Sequence, residues 1–148
     1  MAEPFDTYIT AALAWAEARL GSRDYALRCL AFVEDAYEQA NGIELFGGSS
    51  ASESAAEYGA AANIALLPPP GAFVFYDCGG LVDGERRDWG HVGLCCGDGL
   101  VIHAWDQVRC DAYRAVEALS PAPTWDAPRY SGWAPIERVL TGYRPRQW

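Results

Sequence analysis

Residues 90–104 read GHVGLCCGDGLVIHA. Two apolar runs flank a Gly-Asp-Gly triplet, and each run carries one of the chain's two histidines, His91 and His103. Short apolar runs bounded by turn residues are the pattern of buried strands, so the stretch predicts an antiparallel hairpin. Because side chains alternate across a strand, the register decides where the histidines fall. A three-residue connection, Gly97-Asp98-Gly99, sets His91 opposite Trp105. The histidines are then diagonal neighbours on one face, about 7–8 Å apart at the backbone. A two-residue turn at Asp98-Gly99 reverses the parity and sends them to opposite faces.

Working outward, AFVFYD (72–77), WGHVGLCC (89–96), LVIHAW (100–105) and QVRCDAY (107–113) all read as strands separated by Gly- or Asp-containing turns. The half before them is helical. Residues 6–20 place Ile9, Leu13, Ala16 and Leu20 at helical spacing and stop at Gly21. A second helix runs from Cys29 to Ala40, with Leu30, Val33 and Tyr37 as its stripe, Phe32 beside it, and Glu34, Asp35 and Glu38 toward solvent. An Ala-rich third helix spans about 52–65, with Ser52 or Ser54 as N-cap, and Pro68-Pro69-Pro70-Gly71 ends it. A short helical stretch follows at Pro135–Leu140. Helices first and an antiparallel meander after them define an α+β chain. At 148 residues the sequence predicts one domain over 1–148, with its core at about 8–143.

The composition excludes several classes. The formal charge is −9 and every cation is Arg, which argues against nucleic-acid and anionic-lipid partners. No apolar run approaches the roughly 20 residues of a membrane span. The N-terminus, MAEPFDTYIT, lacks the basic and apolar segments of a signal peptide, so the chain as written is expected in the cytosol unless exported by another route. Five cysteines without a CxxC pair predict free thiols, and adjacent strand cysteines such as Cys95 and Cys96 point to opposite faces, so no metal is expected.

Two cysteines compete as nucleophile. Cys29 opens the second helix, where unpaired N–H groups and the helix dipole favour a thiolate, and its own N–H is placed to bind an oxyanion. Cys78, in YDCGGLV (76–82), follows a strand and precedes LVDGERRD (81–88), which reads as a hairpin with no helix start beneath the sulfur. Cys29 is the better candidate. With the histidines on one face, a relay follows: Cys29 attacks, His91 is base and then acid, and His103 orients His91 and fixes its tautomer. Tyr25, Trp89 and Trp105 are the candidate substrate contacts, and Trp125 and Trp133 further groove candidates.

The segments RCLAFV (28–33), PGAFVFY (70–76), GHVGLCCGDGLVIHA (90–104) and YSGWAP (130–135) together resemble the NlpC/P60 superfamily of papain-like cysteine peptidases, with a secondary likeness to CHAP domains. The resemblance covers about residues 8–143. It implies the papain-like NlpC/P60 fold, Cys29 as nucleophile, His91 as general base and His103 as the third polar residue, with no cofactor. It also places Cys78 in a variable hairpin. Members hydrolyse amide bonds in peptidoglycan stem peptides, so the implied partner is a small peptide or cell-wall fragment. The family's usual Asp-Cys-Ser-Gly is here Arg28-Cys29-Leu30-Ala31. That departure keeps two alternatives in view: acyl transfer through the same intermediate, and a catalytically silent binding or immunity module.

Overall fold

The computed structural model describes residues 5–26, 28–45, 48–140 and 144–145. Helix α1 (Asp6–Glu17) buries Ala12 and Ala16, small residues that let it lie close against helix α2 (Cys29–Asn41). The expected extension of α1 to residue 20 is replaced by turns, and Leu20 is exposed, because the Gly21 N–H pairs with the Val108 carbonyl at 2.8 Å. Helix α2 buries Phe32, Val33, Ala36 and Tyr37, and stops where Gly42 takes a left-handed φ of 63°. Burying large apolar side chains of this kind contributes roughly 1.5–3 kcal/mol each. Its acids are not the free solvent face expected of them. Asp35 accepts the Tyr25 hydroxyl at 2.6 Å, Glu38 accepts the Leu45 N–H at 3.0 Å, and Glu34 is half-buried.

After the short strand β1 (Ile43–Glu44) comes α3 (Ala51–Glu57), shorter than the predicted third helix. Ser50, rather than Ser52 or Ser54, caps it, its Oγ accepting the Glu53 N–H at 3.2 Å. Gly59, at φ 66°, breaks the helical path, and a 3-10 turn over Ala60–Asn63 follows.

The sheet is built from β2 (Phe73–Asp77), β5 (His91–Gly97), β6 (Leu100–Ala104), β7 (Val108–Ala112) and β8 (Arg129–Ala134), with strand order β7-β6-β5-β2-β8. It is antiparallel throughout, but more than a meander. Strands β3 (Gly79–Val82) and β4 (Glu85–Asp88) form a separate hairpin between β2 and β5. Strand β8, which the sequence pattern did not announce, closes the edge beside β2. Helix α4 (Ile136–Val139) matches the predicted Pro135–Leu140 stretch, and β9 (Arg144–Pro145) pairs with β1. Residues 141–143, at the end of the expected 8–143 core, and residues 146–148 lie outside the described residues.

Alternation along the strands divides the interior. Phe73, Phe75, Val92, Leu94 and Ile102 face the helices with Phe32 and Ala36. Val74, Tyr76, Cys95 and Val101 face the other way with Val116, Tyr130 and Trp133. Cys95 and Cys96 thus serve opposite faces. Among the described residues, no helix is long and apolar enough to cross a membrane.

Candidate active site

The hairpin that carries the histidines takes the two-residue turn rather than the three-residue connection, and adds a bulge that the sequence pattern did not foresee. Asp98 and Gly99, with φ of 55° and 73°, make a two-residue turn between the paired residues Gly97 and Leu100. A bulge at Cys96 then shifts the register by one, so that Cys95 pairs with Val101 and Leu94 with Ile102. The bulge undoes the parity change that the short turn imposes. Continuing this register sets Gly93 beside His103 and His91 beside Trp105, whose ring meets the imidazole edge-on at 4.9 Å. Gly93 eases the packing there: a Cβ would stand 3.0 Å from that of His103, tight enough to push the histidine aside. The missing side chain leaves His103 room to lean along the strand toward its diagonal neighbour.

His91 Nε2 and His103 Nδ1 are 2.8 Å apart, and His103 Nε2 lies 2.8 Å from Asp111 Oδ2. Both imidazoles are buried. Asp111 is held ionised. Burial works to raise its carboxyl, but hydrogen bonds from His103 and Arg109 and the nearby positive charge outweigh it. Arg109 grips the same carboxylate through Nε at 2.8 Å and Nη2 at 3.4 Å.

An ionised carboxylate only accepts, so His103 carries its proton on Nε2, and its Nδ1 is an acceptor. His91 must then donate from Nε2, which leaves its Nδ1 unprotonated. The chain Asp111–His103–His91 therefore fixes both tautomers and ends in a free base. Burial first, and the neighbouring His103 second, push the His91 imidazole well below its usual range. Burial also lowers His103, against the opposing pull of Asp111. The relay is neutral at rest apart from its ion-paired end.

Cys29 enters from the first residue of α2 and lines the same cavity as His91. The backbone N–H groups of Val92, next to His91, and of Leu30 point at its sulfur. The thiolate expected from the helix start is not the resting form. Burial pushes the Cys29 thiol up to about 11, and the backbone donors offset only part of this. A neutral thiol has to be deprotonated as it reacts.

The cavity, of about 540 Å³, lies where β5 begins and β6 ends. Trp89, Trp105 and Trp125 line it, whereas Trp133 is buried in the far core with its indole N–H on the Leu66 carbonyl at 2.9 Å. Tyr25 is not among the lining residues. Its ring packs on Trp15 and Phe32, and its hydroxyl is held by Asp35. Cys78 does line the cavity, but its thiol faces the Asp126 carbonyl at 3.4 Å, and burial first, then nearby Cys29, Asp88 and Asp126, push it up to about 12. Among the described residues, no group of three or more His, Cys, Asp or Glu is arranged to hold a metal ion.

Asp111 and Arg109 were missed in the sequence. Their signal was available: in QVRCDAY the two alternate on one face of the strand next to His103.

Helices packed on an antiparallel sheet, with a helix-start cysteine and a strand histidine lining one cavity, form an α+β fold of papain-like design. The chain belongs to the NlpC/P60 family, whose model matches residues 19–119, a segment that includes Cys29, His91, His103 and Asp111. Members of this family are in general hydrolytic cysteine peptidases and amidases that act on peptidoglycan. A search of curated proteins gives no match.

Proposed function

We propose that the chain is a cysteine hydrolase that cleaves an amide bond in a small peptide or peptidoglycan-type fragment through a Cys29 acyl-enzyme. The observation that carries this reading is the unbroken hydrogen-bonded run from Asp111 through His103 to His91, ending in the cavity that Cys29 shares.

In the first half-reaction, His91 Nδ1 takes the thiol proton as the sulfur attacks the carbonyl carbon. The resulting oxyanion faces N–H groups of the helix start, which have no intrahelical partner. Collapse breaks the C–N bond, and the imidazolium returns its proton to the leaving amine. Water, deprotonated by the same nitrogen, then releases the acid and restores the thiol. His103 and Asp111 act through His91. They hold the ring in the reactive tautomer and stabilise its transient charge.

Capture of the acyl-enzyme by an amine instead of water gives acyl transfer with the same residues. Product analysis after incubation with a stem-peptide amide, with and without added amine, tests the reading. Free acid in both cases is expected; an amine adduct as main product would replace hydrolysis by transfer, and no Cys29-dependent product would contradict the reading.

A further inference from the structure

The cavity beside Cys29 has a surface chemistry that narrows the substrate. Its indoles offer ring carbon rather than donors: Trp89 Nε1 is already bonded to the Gly80 carbonyl and Trp105 Nε1 to the Ser120 carbonyl, each at 3.0 Å. Two of its serines are committed as well. Ser50 Oγ accepts the Glu53 N–H at 3.2 Å, and Ser49 Oγ donates to the Glu53 carboxylate at 2.7 Å. Among the described lining residues, the charged side chains are Arg28 and Asp106. Both are exposed, and Asp106 already faces Arg109 Nη1 at 3.4 Å.

The hairpin β3–β4 supplies a further apolar wall through Val82. It is clamped in place, because Trp125 lies so close on Gly80 that a Cβ there would come within 2.2 Å of the ring. Arg86 adds bonds at 2.9 Å to Asp126 and to the Thr124 carbonyl. A volume of about 540 Å³ is enough for most of a small molecule. A carboxylate drawn between these indoles would lose part of its hydration with no buried counter-charge to replace it.

We infer that the acyl half of the substrate is an uncharged apolar group, aromatic or branched aliphatic, seated among Trp89, Trp105, Trp125 and Val82 with its amide carbonyl at Cys29. This rests on the acyl-enzyme reading above. Attack forms the Sγ–C bond and breaks the C–N bond, the amine leaves with the proton held by His91, and water releases an apolar carboxylic acid and restores the thiol.

The test is a panel of amides that share 7-amino-4-methylcoumarin as leaving group. Phenylacetyl and isovaleryl amides are compared with succinyl and glutaryl amides. The apolar members should exceed the charged ones in kcat/KM by at least about tenfold. Val82→Asp, a change at an exposed position that should fold normally, should shrink that ratio severalfold. Turnover that is equal or faster for the charged amides, or a ratio unmoved by Val82→Asp, overturns this inference alone. Failure of every amide to turn over overturns the acyl-enzyme reading, and this inference with it.

Discussion

Cys29 and Cys78 reach one cavity from two elements, the start of α2 and the junction of β2 with the β3–β4 hairpin. In both, burial pushes the thiol far up, to about 11 for Cys29 and about 12 for Cys78. The polarity aimed at each sulfur differs. N–H groups of Val92 and Leu30 point at Cys29, and His91 lines the same cavity. Cys78 meets the Asp126 carbonyl, its own N–H is taken by Asp88 at 2.8 Å, and the charges of Asp88 and Asp126 oppose a thiolate. Access to the cavity therefore does not single out a nucleophile; the donors directed at the sulfur favour Cys29 as the proposed one.

Substitutions break this comparison with graded force. Cys29→Ala should bring kcat/KM down to background, a loss on the order of 10⁶-fold, while Cys78→Ser keeps most of the rate; steady-state kinetics of the two variants side by side checks this. His91→Ala removes the proposed base and should cost about 10²–10⁴-fold in kcat, with circular dichroism showing an intact fold. Asp111→Asn withdraws the charge behind the relay, and kcat should fall about 10–10²-fold with KM little changed.

The pH profile sharpens the contrast further. The His91 imidazole is pushed well below 6.5, so the acid limb of kcat/KM should lie well below that pH rather than at it. The smallest effect concerns the helix that carries Cys29. Burial first, then the charges of Glu38 and Asp35, push the Glu34 carboxyl up to about 7 from the usual 4.5. The folded state holds this proton more tightly than the unfolded one. Stability from Glu34 is therefore present below about pH 4.5 and is lost as pH rises through 7. Glu34→Gln should raise Tm modestly at pH 8 and not at pH 4, by thermal melts at both.

The parts of this molecule that show in the sequence are those that repeat a period. The Phe32, Val33 and Tyr37 stripe, and the runs of β2, β5, β6 and β7, each bury a face at regular spacing. What stayed hidden depends on single irregular residues or on distant partners. The bulge at Cys96 sets the histidine register, yet Cys-Cys in an apolar run looks like any other strand pair. Strand β8 follows a stretch rich in proline and polar residues, and pairing with β2 is what makes it a strand. Tyr25 and Trp133 are aromatics whose polar ends are met by Asp35 and Leu66, partners far away in sequence or on another element. Asp111 was legible in principle from the alternation of β7, but only once β6 and β7 are known to pair.

The most direct test is site-resolved alkylation by iodoacetamide near neutral pH, read by peptide mass spectrometry in the wild type and in His91→Ala. Labelling of Cys29 ahead of Cys78, slow near neutral pH, faster as pH is raised and slowed at least about tenfold in His91→Ala, is the predicted result. Labelling of Cys78 first, or a Cys29 rate indifferent to the loss of His91, would contradict it.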